Sequence, residues 1–138
     1  MFEIRDLNHV NLVVTDLAAA KRFYCETLGM EDLPRPADLL VRGAWLRSQS
    51  AEIHLIVAAY ATHAPGDLSY AISQQPGIDI GSSRHFSLVI NDTDELVQRL
   101  NARGVVIVLG PVTRFGGLVQ TYCYDPDGHL VEFTQLPG

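Results

Sequence analysis

Four side chains of this 138-residue chain are of the types that coordinate borderline divalent metals: His9, His54, His85 and Glu132. Imidazole and carboxylate together suit Zn²⁺, Ni²⁺, Co²⁺, Mn²⁺ or Fe²⁺. Taken singly, a histidine on a strand is more often a hydrogen-bonded structural residue than a ligand. Their joint placement argues otherwise. His9-Val-Asn-Leu-Val-Val-Thr-Asp16 repeats as His85-Phe-Ser-Leu-Val-Ile-Asn-Asp92, and Ile53-His54-Leu55 repeats as Val131-Glu132-Phe133. His9 and His85 thus open the first strand of each half, while His54 and Glu132 occupy the last. A pseudo-twofold between the halves predicts that all four converge on one concave face. A carboxylate buried beside three imidazoles without a cation is costly, which favours a metal there. His63, in a loop, and His129, beside a turn, are read as structural.

The elements that must position these residues are legible from period and punctuation. Leu7 to Val14 alternates as a strand, with His9, Asn11 and Val13 on one face. Thr15-Asp16 offers a cap, and Leu17 to Leu28 reads as a helix ending at Gly29, with Leu17, Ala20, Phe23, Tyr24 and Leu28 as its buried stripe. After Pro34-Arg35-Pro36, Leu39 to Leu46 and Glu52 to Ala58 read as strands. In the second half the order returns: strand His85 to Ile90, helix from Asp92-Thr-Asp-Glu95 towards Gly104, strand Val105 to Leu109, and loop Gly110 to Gly117. A hairpin closes the chain around Asp125-Pro126-Asp127-Gly128, where proline and glycine are turn residues. Its returning strand, His129 to Gln135, carries Glu132 between two apolar neighbours.

The expectation is one α+β domain over 1–138. Two βαβββ modules, about 5–58 and 84–136, form a cupped mixed β-sheet, joined by a loop at 59–83 that is a candidate lid. At 47% apolar the chain builds one good core, and neither half buries much alone. A formal charge of −6 argues against nucleic acid. No apolar run has the length to span a bilayer, and the N-terminus has no leader pattern, so no membrane partner and a cytoplasmic location are expected. Cys25 and Cys123 have no metal or disulfide spacing and read as free thiols.

These motifs resemble the vicinal oxygen chelate superfamily, which includes glyoxalase I, fosfomycin-resistance transferases, extradiol dioxygenases and bleomycin-resistance proteins. The resemblance covers essentially the whole chain: His9, the Asp16 helix with Arg22-Phe23-Tyr24 and Leu28-Gly29, His54, His85, and Asp125-Pro-Asp-Gly128 ending in Glu132. It implies paired βαβββ modules around one divalent metal in a cupped sheet, a small-molecule substrate chelated through two neighbouring oxygens, and a homodimer.

Within that family the residues discriminate between reactions. Glu132 matches the glutamate that serves glyoxalases as ligand and base, which implies lyase or isomerase chemistry with a proton moved α to a carbonyl. His54 stands where those enzymes have a second glutamate, and Val13 and Ala58 stand at their glutathione-binding positions, so the substrate expected here is another one. Fosfomycin-type thiol transfer would use His9, His85 and Glu132 with Tyr122, but Val112 and Gly116 replace its anion cradle. Extradiol dioxygenases share Tyr122 to Glu132 as a signature, yet Arg114-Phe115-Gly116 replaces their acid-base histidine. A non-catalytic, bleomycin-resistance-type binder is the alternative outside enzymes. Catalytic candidates are Glu132 and Tyr122. Asn11, Arg42, Trp45, Ser87, Arg114 and Tyr124 are the candidates for substrate contact, with Arg35 a further cation for an anionic group.

Overall fold

The computed structural model describes residues 1–57, 80–82 and 84–138. In the first half β1 (Val10–Val14) is followed by α1 (Leu17–Lys21), β2 (Glu31–Leu33), β3 (Gly43–Ser48) and β4 (Ala51–Val57). The second half repeats the series as β5 (Phe86–Ile90), α2 (Thr93–Ala102), β6 (Ile107–Arg114), β7 (Leu118–Tyr124) and β8 (Leu130–Gln135). Each half forms its own four-stranded mixed sheet, ordered β1-β4-β3-β2 and β5-β8-β7-β6. First and last strands pair in parallel, and the other pairs are antiparallel. The repeat in the sequence is therefore a repeat of topology. The fold is α+β, as expected; most of the expected 59–83 loop lies outside the described residues, as do Ala58 and His63.

Both helices start on an aspartate, as the spacing predicts. Asp16 accepts the Ala19 N–H at 3.0 Å and Asp92 accepts the Glu95 N–H at 2.9 Å, each satisfying a donor that the first helical turn leaves over. Helix α1 then widens into a π-helical turn over Arg22–Thr27, where the Leu28 N–H reaches the Phe23 carbonyl at 3.1 Å. Gly29, at φ +80°, turns the chain out of it.

Alternation decides which sheet face is buried. Leu12, Val14, Ala44, Leu46, Ile53 and Leu55 from the first sheet join Cys123, Val131 and Phe133 from the second in one cluster, filled in by Phe23, Tyr24, Leu96 and Leu100 of the helical segments. The modules are thus fused through their helix-bearing faces. Polar ties reinforce the junction. Tyr24 donates to Asp125 at 2.7 Å, the Thr15 N–H and hydroxyl both donate to Asp127, and Arg103 meets Glu26 at 3.1 Å. His129 is structural, its Nε2 lying 2.8 Å from the Val13 carbonyl oxygen.

The largest differences from the sequence reading are at three places. The first strand begins at Val10 rather than Leu7, leaving His9 just ahead of it. The strand expected at Leu39 to Leu46 is displaced to Gly43–Ser48. Arg35 explains the shift: its guanidinium donates to the Val41 and Gly43 carbonyls at 2.7 and 3.0 Å, tying the preceding segment into a loop. The loop expected at Gly110 to Gly117 is strand as far as Arg114. The β6–β7 pairing shifts register between Leu109 and Val112, so an irregularity absorbs Gly110 (φ +92°) and Pro111 without ending the strand.

Candidate metal and substrate site

The face of each sheet turned away from the core carries a row of three side chains set by register. In the first sheet Asn11 lies opposite His54 and His54 opposite Trp45; in the second, Ser87 lies opposite Glu132 and Glu132 opposite Tyr122. Asn11, His54 and Trp45 thus correspond strand for strand to Ser87, Glu132 and Tyr122. His9 and His85 stand at the mouths of the rows, one residue before β1 and β5.

The first row is a stack of rings. His54 lies between His9, at a centroid distance of 3.9 Å, and Trp45, at 4.8 Å, all three nearly parallel. The His54 Nε2 is also 3.2 Å from the Glu52 carboxylate. That hydrogen bond, ahead of the nearby Arg47 charge, holds the Glu52 carboxyl below its ordinary value. His9 Nδ1 lies 2.7 Å from the Asn8 side-chain oxygen.

The second row is polar and deeper. His85 Nε2 approaches Glu132 Oε2 at 2.7 Å, while Gln120 Nε2 and the Thr134 hydroxyl reach Glu132 Oε1 at 2.7 and 2.6 Å. Ser87 lies 2.8 Å from Thr134. Tyr122, almost fully buried, meets the His85 ring edge to face at 5.5 Å.

The four ligand candidates therefore form two pairs, His9 with His54 and His85 with Glu132. Within one chain they do not meet: among the described residues no three His, Cys, Asp or Glu side chains are grouped to hold a metal. The convergence expected inside a single chain is corrected on this point, and the reason is the fusion of the modules through their helical sides. The donor chemistry still fits a divalent ion. Two ligands bound at about 2.0–2.2 Å to one tetrahedral or octahedral centre stand about 3 Å apart, close to the His85–Glu132 separation.

The remaining candidates are scattered. Asn11 and Ser87 are exposed in the rows, and Trp45 is half-buried in its stack. Tyr124 lies opposite Leu130 in β7, and Arg114 ends β6, both half-buried. Arg42 is exposed in the loop before β3, with its carbonyl taken by the Val57 N–H. Arg35 is committed to its own loop. Glu52, Gln120 and Thr134 were given no role by the sequence reading. Each lies two residues along a strand from a candidate, on the same face, so alternation alone was the signal that could have found them.

Comparison with known proteins agrees with the fold. The sequence matches the model of the Glyoxalase/Bleomycin resistance protein/Dioxygenase superfamily over residues 6–133. It is 28% identical over 130 residues to Glyoxylase I 4 of Arabidopsis thaliana, covering 94% of this chain and 70% of that protein. It is 31% identical over 137 residues to virulence protein STM3117 of Salmonella typhimurium, covering 94% and 83%. The crystal structure of a glyoxalase-family protein from Bacillus anthracis superposes with a TM-score of 0.76 at 24% identity, over 99% of both chains. The two fused βαβββ modules and the family match over nearly the whole sequence lead to one conclusion: the chain belongs to the Glyoxalase/Bleomycin resistance protein/Dioxygenase superfamily.

Proposed function

We propose that the protein is a divalent-metal-dependent, glyoxalase-like lyase or isomerase whose site is completed between two copies of the chain. The observation that carries this reading is the split of four ligand-type residues into two pairs on outward faces of one chain. A closed two-fold assembly presents the His9–His54 pair of one copy to the His85–Glu132 pair of the other, twice over. Each site then has three imidazoles and one carboxylate for a Zn²⁺, Ni²⁺, Co²⁺, Mn²⁺ or Fe²⁺ ion.

Bound there, the metal supplies Lewis acidity towards two neighbouring substrate oxygens. The chain's own residues do the rest. Glu132 is the base for a proton α to a carbonyl, held against His85 in a buried setting that keeps water away from the transfer. Tyr122, across the ladder from Glu132, and Trp45 form walls, and Asn11 and Ser87 offer hydrogen bonds at the exposed ends of the rows. Arg42 and Arg114 are the cations for a carboxylated substrate, Tyr124 a further wall.

The test is metal analysis and turnover together. Wild-type protein loaded with each ion is assayed for proton exchange on small α-hydroxycarbonyl and carboxylated substrates. Glu132→Gln should lose about 10²-fold or more in turnover while retaining substrate affinity. An unimpaired Glu132→Gln enzyme removes the base assignment. A protein that takes up no ion, at any pH where imidazole is neutral, removes the whole reading. A ligand-sequestering role is the second reading, favoured by the flat Trp45–His54–His9 stack, which suits a planar guest; such a protein binds its ligand with no turnover for Glu132→Gln to reduce.

A further inference from the structure

Glu132 is held by more contacts than its pairing with His85 requires. Its Oε1 receives two donors, the Gln120 amide from β7 and the Thr134 hydroxyl from β8 itself, while its Oε2 faces His85. Register builds this arrangement. Gln120 is directly opposite Thr134 on the antiparallel ladder, and Thr134 stands two residues beyond Glu132 on the same face. An ionised carboxylate only accepts hydrogen bonds, so both contacts at Oε1 have a fixed direction. The Thr134 proton is therefore committed to Glu132, and the Ser87 hydroxyl, 2.8 Å from the Thr134 oxygen, must donate to it. Three strands thus contribute to one oriented chain: Ser87 to Thr134 to Glu132, with Gln120 from the other side.

Resting on the reading of Glu132 as a metal ligand, we propose that Gln120 and Thr134, backed by Ser87, are positioning residues that occupy Oε1 and so make Glu132 a one-oxygen ligand through Oε2. With Oε1 saturated, the carboxylate cannot rotate to grip the ion with both oxygens, and a coordination position stays open for substrate. Outer partners of this kind orient a ligand before the metal arrives, and their loss typically weakens metal binding 10- to 100-fold. The chemistry at Oε1 also separates two roles of one residue: Oε1 is anchored and Oε2 is the working atom.

Titration calorimetry of metal-free protein with Zn²⁺, and absorption spectra of the Co²⁺ form, test this without a substrate. Thr134→Val removes the hydroxyl at nearly constant volume and should weaken Zn²⁺ binding by about 10- to 100-fold, while Thr134→Ser restores it. Gln120→Leu should behave like Thr134→Val. Ser87→Ala, at an exposed position where folding is safe, should give a smaller loss in the same direction. In Thr134→Val and Gln120→Leu the freed carboxylate becomes two-oxygen, raising the coordination number and weakening the visible Co²⁺ bands. Wild-type affinity in Thr134→Val, Gln120→Leu and Ser87→Ala, with unchanged Co²⁺ spectra in the first two, overturns the inference and leaves the metal site standing. No Zn²⁺ or Co²⁺ binding by the wild type overturns the metal site itself, and this inference with it.

Discussion

The phenol of Tyr24 and the carboxylate of Asp125, 101 positions apart in the sequence, share a buried hydrogen bond of 2.7 Å between the two modules. Asp125 spends its other oxygen on the backbone N–H groups of Asp127 and His129, both at 2.9 Å. One residue therefore shapes the β7–β8 turn and fastens it to the helical segment of the other module. Burial first, and the neighbouring Asp125 charge second, push the Tyr24 phenol well above its ordinary value, so it remains a donor throughout the working range.

Tyr24→Phe deletes that donor and leaves a buried carboxylate oxygen without it. The expected cost is about 1–3 kcal/mol, the range for an abandoned buried partner. Urea denaturation should show a lower midpoint at unchanged slope, because the surface exposed on unfolding is the same. A midpoint equal to the wild type's would mean that the tie contributes nothing to holding the modules together.

Burial raises the Asp125 carboxyl above its usual value, more than its hydrogen-bond donors lower it. The folded state then holds this proton more tightly than the unfolded chain. The associated stability is present at pH below the unfolded carboxylate value and is lost as pH rises through the folded one. Asp125→Asn has no such titration. The stability of the wild type relative to Asp125→Asn should therefore decline as pH rises through the window immediately above the ordinary carboxylate value. Paired urea titrations at several acidic pH values measure it; a constant difference rules the linkage out.

What the sequence disclosed was the repeated part of the molecule. His9 with His85, His54 with Glu132, and the capping residues Asp16 and Asp92 occur at matched places because local period and caps specify strand and helix directly. The displaced third strand was hidden because Arg35 acts through contacts six and eight residues away, which a pattern of Leu39, Leu40 and Val41 does not reveal. The continuation of β6 through Gly110-Pro111 was hidden for a related reason: a partner strand rescues a segment whose own residues favour a turn. The splitting of the four ligand candidates was beyond reach of either signal. It depends on which faces of the two sheets meet, and alternation fixes which residues share a face without saying what that face packs against.

Cys123 lies fully buried in β7 beside Tyr122, and burial pushes its thiol up to about 12. Cys25 is half-buried, and its thiol is also raised, chiefly by burial. At pH 8 Cys123 is therefore almost entirely thiol, and burial leaves Cys25 less of the thiolate, the form that reacts, than an exposed cysteine has. An aromatic disulfide reagent should label Cys25 slowly and Cys123 only when β7 opens. The Cys123 rate should rise with urea in step with global unfolding, which mass spectrometry of the labelled peptides resolves. Prompt labelling of Cys123 in native conditions would show that the second sheet opens on its own.

Completion of the site by a second copy makes a demand that no single-chain site can meet. A variant carrying His9→Ala and His54→Ala lacks one half-set in each copy, and a variant carrying His85→Ala and Glu132→Ala lacks the other. Each alone should bind no metal with native affinity. Mixed as unfolded chains and refolded in equal amounts, about half of the dimers contain one copy of each, and in those one site has all four ligands while the other has none. Roughly a quarter of the wild-type metal capacity should therefore return, in a species that calorimetry titrates at near wild-type affinity. The replaced side chains other than Glu132 are exposed or half-buried, and circular dichroism of each variant checks that the loss is not one of folding. A site built within one chain predicts no recovery on mixing, because neither variant chain holds a whole set.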